Sequence, residues 1–256
     1  MVSLKDKIVF ITGATAGIGK AAAKAFAKEN AKLILTARRI ELLNEFADEL
    51  KKEFKIDIIT EKLDVKNVNE VKQVINSLPE EWSKIDILIN NAGLAKGFGH
   101  IYEDDTENWE EMIDTNLKGA MYVIRHIVPG MIERGSGHII NLGSTAGHMA
   151  YANGGVYCAT KFGMRAISDA LRIELLDKNI KVSSVDPGAV ETEFSNIRFN
   201  GDKERAKNVY KGTTPLNGDD IAEAIIFCAT RPAHANINEI IITPNVQANS
   251  FFIHRK

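Results

Sequence analysis

Short apolar runs rich in β-branched residues alternate with amphipathic stretches almost from end to end of the chain. Seven runs read as strands: 7–12, 32–37, 56–62, 85–90, 137–143, 180–186 and 238–243. Several of them, KIVFIT and IDILIN among them, are nearly continuously apolar, as strands covered on both faces are. Between them, apolar positions recur at helical spacing over 17–29, 41–53, 67–77, 106–134, 157–178 and 218–230. Such alternation implies right-handed crossovers, and so an α/β fold: a doubly wound, seven-stranded parallel sheet with helices on both faces. The stretch 189–215 breaks the rhythm, being long, polar and weakly periodic, and reads as a functional loop or lid. No Pro/Gly-rich linker, charge block or internal repeat divides the chain, so residues 1–256 are expected to form one domain.

Composition narrows the function. Apolar residues make up 45% of the 256, enough for a sizeable core, and a net charge of −2 gives no electrostatic case for nucleic acid or an anionic membrane. Cys158 and Cys228 are too few for a disulfide framework and read as buried free thiols. The histidines at 100, 126, 138, 148, 234 and 254 are scattered without metal-ligand spacing, so no metal is expected. The N-terminus enters a strand without a signal-peptide stretch, and no apolar run approaches the roughly 20 residues of a membrane span. A cytoplasmic protein without a membrane partner is the expectation.

In an open α/β sheet, ligands bind beyond the carboxyl ends of the strands. After the first strand comes Gly13-Ala14-Thr15-Ala16-Gly17-Ile18-Gly19, opening an alanine-rich helix. Glycines there permit a tight turn and close approach of backbone to pyrophosphate, and the helix N-terminus offers unpaired N–H groups. The second strand ends in Arg38-Arg39 where an NAD site carries an acid for the ribose 2′-hydroxyl. Guanidinium geometry suits a 2′-phosphate instead, which makes NADP the expected cofactor.

Tyr157 and Lys161 stand four residues apart in a helical stretch, so phenol and ammonium share a face one turn apart. A tyrosine ionises near pH ~10, and a fixed positive charge beside it pulls that value down towards the working range of a general acid/base. An exposed helical pair without chemistry would have the same spacing.

The glycine pattern, Asn90-Asn91-Ala92-Gly93 after the fourth strand, Ser144 after the fifth and the Tyr157/Lys161 pair together resemble the short-chain dehydrogenase/reductase family, nearly over the whole chain. The resemblance implies a Rossmann-type sheet of order 3-2-1-4-5-6-7, assembled as a homodimer or homotetramer. It implies Tyr157 as general acid/base and Lys161 as the group that lowers its pKa and binds the nicotinamide ribose. It further implies Ser144 on the substrate oxygen and Asn116 holding a proton-relay water. On the cofactor it places Asp64 and Val65 at the adenine, and Asn91, Ala92 and Gly93 beside the ribose and nicotinamide. Pro187, Gly188, Val190 and Thr192 would cover the nicotinamide.

GATAGIG, TARR, LPEEW, HIINLGSTAG, EFSNIRF and the tail PAHANINEIIITP also resemble a branch of that family, the NADP-dependent L-serine/L-allo-threonine and other 3-hydroxy acid dehydrogenases. The substrate would be a small hydroxy acid, and its carboxylate needs a cation; Arg198, in the 189–215 stretch, is the candidate. His148, Met149 and Tyr151 would line the pocket. A carbonyl or 3-oxoacyl reductase of another specificity and a non-catalytic NADP(H)-sensing protein remain open as alternatives.

Overall fold

The computed structural model describes residues 2–199 and 201–256. Its strands are β1 (Ile8–Thr12), β2 (Lys32–Ala37), β3 (Ile58–Lys62), β4 (Ile87–Asn90), β5 (Gly137–Leu142), β6 (Ile180–Pro187) and β7 (Glu239–Ile242). They pair in parallel in the order β3-β2-β1-β4-β5-β6-β7. The helices are α1 (Gly17–Lys28), α2 (Ile40–Phe54), α3 (Val68–Asn76), α4 (Thr106–Ile113), α5 (Ala120–Arg134), α6 (Gly155–Glu174), α7 (Phe194–Arg198), α8 (Lys203–Asn208) and α9 (Gly218–Ala229).

Because side chains alternate along a strand, neighbouring apolar residues serve opposite layers. Val9, Ile11, Leu33, Leu35, Ile89 and Leu142 enter one core with residues of α1, α2 and α9. Ile8, Phe10, Ile34, Leu88, Ile139 and Val182 enter the other, with residues of α3, α5 and α6. An apolar residue at every strand position is thus what a sheet covered on both faces demands. Caps fix the helix starts: Asn67 accepts from the main-chain N–H groups of Asn69 and Glu70, and Asn217 forms a reciprocal capping box with Asp220.

The structure departs from the sequence reading in two places. The helix expected over 106–134 is interrupted by a π-helical segment, Asp114–Gly119. The stretch 189–215, read as a loop, carries the short helices α7 and α8. Among the described residues no helix is long and apolar enough to cross a membrane.

Candidate functional site

All seven strands point their carboxyl ends at one edge of the sheet, and a cavity of about 770 Å³ opens there. Its floor begins at the turn after β1. Gly13 and Gly17 have φ of +69° and +52°, which a side chain would strain. The Thr12 hydroxyl accepts from the main-chain N–H groups of Asn91 and Ala92 (3.0 and 2.9 Å), while Asn91 Nδ2 donates to the carbonyls of Thr12 and Gly13 (2.8 and 3.2 Å). The ends of β1 and β4 are thereby tied together under the cavity. The first turn of α1 has no side-chain cap and no acid, which leaves its N–H groups free for an anion.

At the end of β2 both arginines line the same cavity. Arg39 Nη2 donates to the Thr15 hydroxyl (3.2 Å) and to Glu193 Oε2 (3.1 Å), and Arg38 lies 3.9 Å from Glu111. These are half-exposed surface pairs of small worth, so an entering phosphate can displace them.

Tyr157 and Lys161, each 8% exposed, lie one turn apart on α6, with the Lys161 ammonium 5.9 Å from the phenol ring centre. Lys161 Nζ donates to the Leu142 carbonyl at the end of β5 (2.8 Å). Burial lowers its pKa to about 8, against the pull of Asp186. Contrary to the sequence expectation, the Tyr157 phenol is raised rather than lowered. Burial is the largest cause, Tyr151 adds to it, and the facing Ser144 hydroxyl and Arg198 oppose it without overcoming it. At neutral pH the pair is therefore a neutral phenol beside an ammonium. Ser144 stands in extended backbone, its hydroxyl accepting from Ala146 N (3.1 Å) and reaching the Pro187 carbonyl (3.4 Å).

Asn116 sits within the π-helical segment, behind the cavity wall. Its Oδ1 accepts from Leu94 N (2.8 Å), and its Nδ2 donates to the Leu94 carbonyl (2.7 Å) and the Thr160 hydroxyl (3.1 Å). Both amide hydrogens are thus in use, and Oδ1 accepts one bond.

The far wall is built by α7 and the 94–99 loop, joined where Gly97 N donates to the Arg198 carbonyl (3.2 Å). Phe194 packs edge-on against Tyr157 (5.6 Å). The Arg198 guanidinium lies over Phe98 (4.8 Å), Tyr151 (5.5 Å) and Tyr157 (5.9 Å), and Nη1 donates to the Tyr151 hydroxyl (2.9 Å). Its Nε is buried and has no partner among the described residues. Arg198 also lines the cavity, and a guanidinium there suits an anion.

Residues 7–202 match the short chain dehydrogenase family model. The chain belongs to that family. An NADP-dependent 3-hydroxy acid dehydrogenase of Salmonella typhi is 46% identical over 242 residues, covering 94% of this chain and 96% of the relative. A sulfoacetaldehyde reductase of Chromohalobacter salexigens is 43% identical over 246 residues, 96% of this chain and 97% of the relative. A closed form of serine dehydrogenase complexed with NADP⁺ superposes with a TM-score of 0.90 at 45% identity, covering 97% of this chain and all of that one.

Of the residues the dehydrogenase sequence offers for the site, Gly19 and Asn116 do not line the cavity. Gly19 packs against the Gly13 carbonyl and Asn91, where a Cβ would overlap both; it serves helix–strand packing instead. His148 and Met149 are also outside. His148 turns away to Asp186 (2.5 Å), and Tyr151 alone of that trio reaches the cavity. His148, Asp186 and Glu239 converge, a grouping that the scattered histidine spacing does not suggest; His148 and Asp186 bond to each other directly, and Glu239 pairs with Arg165 (3.3 Å). Phe98, Arg205 and the tail residues Gln247, Ser250 and Arg255 also line the cavity. Nothing in the local sequence pattern marks these five, because long-range folding alone brings them there.

Proposed function

We propose that this dehydrogenase oxidises the 3-hydroxyl of small 3-hydroxy acids with NADP⁺, or reduces the corresponding semialdehyde. L-Allo-threonine, L-serine, 3-hydroxyisobutyrate and 3-hydroxypropionate are the candidate substrates. The observation that carries the reading is Arg198: a guanidinium with an unpartnered buried Nε, in the same cavity as Tyr157, Lys161 and Ser144. A carboxylate bound there places a small substrate with its hydroxyl towards the phenol. The two relatives above are named for substrates that carry a carboxylate or a sulfonate, and one fork of N–H donors suits either anion.

The glycine turn and the uncapped start of α1, through Gly13, Thr15, Ala16, Gly17 and Ile18, would hold the pyrophosphate, with Arg38 and Arg39 on the 2′-phosphate. Asp64 and Val65 would flank the adenine; Asn91, Ala92, Gly93, Pro187, Gly188, Val190 and Thr192 would bound the ribose and nicotinamide. NADP⁺ supplies the hydride acceptor when bound. In reduction the neutral Tyr157 phenol gives its proton to the carbonyl oxygen. In oxidation it first loses that proton and, as a phenolate stabilised by Lys161, takes the hydroxyl proton, while Ser144 orients the reacting oxygen and Lys161 holds the ribose. Asn116 would hold a water that links Lys161 to solvent as a proton relay. Exposed apolar side chains on and after α6, Phe162, Ile173 and Leu176, support a homo-oligomer of two or four chains. The lack of any membrane-crossing helix among the described residues fits a cytoplasmic enzyme.

The test is a panel of initial rates at about pH 8 with NADP⁺ and NAD⁺. L-Serine, L-allo-threonine, L-threonine, 3-hydroxyisobutyrate and 3-hydroxypropionate are compared with a simple secondary alcohol. Turnover confined to the hydroxy acids, with NADP⁺ favoured at least about tenfold (~1.4 kcal/mol), is expected. Turnover of the simple alcohol alone would keep the dehydrogenase and remove the anion from the substrate.

A further inference from the structure

Asp186, 2% exposed, is the next-to-last residue of β6, before Pro187. One carboxylate oxygen accepts from His148 Nε2 at 2.5 Å and the other from the Ser184 hydroxyl. None of these three residues lines the cavity, and the mechanism above assigns them nothing. Yet the carboxylate lies where the catalytic segments meet. Gly143, the neighbour of Ser144, approaches it so closely that a side chain there would overlap it, and Gly143 N donates to the Val185 carbonyl (2.9 Å). On the same strand end, the Leu142 carbonyl accepts from Lys161 (2.8 Å), and Gly147 packs on the Lys161 main chain. His148 follows Gly147, so its bond to Asp186 closes the 143–148 loop onto β6.

An ammonium buried as Lys161 is loses its proton readily unless an anion is near. Its field comes from few groups. Tyr157 stands one turn away on α6, and Asp186 of β6 lies against Gly143, next in the chain to Leu142, whose carbonyl Lys161 binds. Beyond Asp186, His148 lies 3.7 Å from Glu239 of β7, whose charge is met by Arg165 of α6 (3.3 Å). Burial is the larger influence on Lys161 and lowers its pKa; Asp186 is the anion of this cluster that opposes it.

We propose that Asp186 is a positioning residue: braced by His148, it is the buried counter-anion that keeps Lys161 protonated and holds the Ser144 loop against β6. The proposal rests on the reading of Tyr157 and Lys161 as the reaction centre. His148 donates to a carboxylate that can only accept, and it shields that carboxylate from water. Without the donor, water hydrates the carboxylate and weakens its field at Lys161.

The experiment measures kcat against pH for wild type, D186N, H148A and H148Q. Alongside it, the Cε resonance of Lys161 is titrated in ¹³C-lysine-labelled protein without substrate, assigned by its loss in K161R. Removing the anion leaves burial unopposed, so Lys161 releases its proton at lower pH. In D186N the alkaline limb of kcat and the Cε titration should both move down by about one unit or more, a tenfold change in proton affinity. H148A should move both the same way by less, and H148Q, which restores an N–H donor, should bring them back. A purely structural role would lower the melting temperature and leave both titrations in place. Should D186N fail to fold, H148A and H148Q decide the matter, since the His148 side chain is partly exposed and tolerates exchange. A folded H148A with both titrations at their wild-type positions overturns the proposal. A wild type inactive on every hydroxy acid would remove the substrate reading, while the resonance titration still decides the role of Asp186.

Discussion

Arg198 separates two parts of the site's chemistry that a single residue rarely divides. Its guanidinium lies over the rings of Phe98, Tyr151 and Tyr157, which fix its plane, while its buried Nε has no partner among the described residues; the proposed role is to hold the substrate's anion. The proton chemistry is assigned to Tyr157, Lys161 and Ser144. Arg198→Ala should therefore raise KM for hydroxy acids by about tenfold or more, the loss of a charged contact of ~1.5–3 kcal/mol. The dissociation constant of NADP⁺, read by fluorescence titration, should stay where it was. Arg198→Lys should recover part of the loss, since an ammonium retains charge and loses the planar fork. An unchanged KM in Arg198→Ala would remove the clamp. The position of Arg198 could be read from its segment, EFSNIRF, whereas its aromatic surroundings could not. Phe98 and Tyr151 come from elements 100 and 47 residues away in sequence, and only the closed fold stacks them on one guanidinium.

At the scale of elements, the π-helical segment Asp114–Gly119 is the feature with most consequence. It turns the Asn116 amide onto both main-chain groups of Leu94, itself 4% exposed, and so joins the loop after β4 to the wall carrying Tyr157 through Thr160. π-Bulges cluster at functional sites because they redirect a side chain or carbonyl that an α-helix would leave in register. Asn116→Ala would strand a buried N–H and a buried carbonyl, each costing about 1–3 kcal/mol, so a destabilisation of about 2–6 kcal/mol is expected. At roughly 2–4 °C per kcal/mol for a chain of this size, a thermal melt resolves it. Asn116→Leu, close in volume, should fail in the same way if hydrogen bonding rather than packing is what matters; a melting temperature equal to wild type would show that Leu94 finds other partners. The strands and most helices were legible because a buried parallel sheet needs continuous apolar runs and its helices need a 3.6-residue stripe. The π-helical break was not, because one extra residue in a turn barely disturbs that stripe. α7 and α8 were missed for a related reason: five- and six-residue helices hold too few periodic positions to stand out from a polar loop. The glycine turn, Arg38, Arg39, Ser144, Tyr157 and Lys161 were legible as positions, since each falls at a strand end or on a readable helix. Their electrostatics were not. The phenol's rise under burial and the Asp186–His148 pair depend on packing that no local pattern encodes.

For the molecule as a whole, the doubly wound sheet that builds the site also fixes how the fold answers to acid. His138 lies in the middle of the sheet on β5, between β4 and β6, 4% exposed; its Nε2 meets the Ser183 hydroxyl at 2.8 Å and its Nδ1 has no partner among the described residues. Burial, helped by Lys181, lowers its pKa to about 3. The unfolded chain, with an ordinary value near 6.5, then binds a proton that the native state refuses. Stability from this group is therefore complete above about pH 6.5 and is lost as pH falls from there towards 3. The slope is at most ~1.4 kcal/mol per pH unit, on the order of 4–5 kcal/mol over the whole window. The window identifies the cause. Glu111, held below the usual carboxylate range chiefly by its hydrogen bond from Lys96, withdraws its contribution only below about pH 4.5, and His126 is too near the surface to weigh much. Between about pH 6.5 and 4.5 the descent belongs mainly to His138. In His138→Gln, which carries no charge at any of these pH values, the midpoint of urea unfolding should change little over that window, while the wild-type midpoint falls. Parallel falls in the two proteins would mean that the sheet opens enough to hydrate His138 before it unfolds, and that burial in β5 does not set its proton affinity.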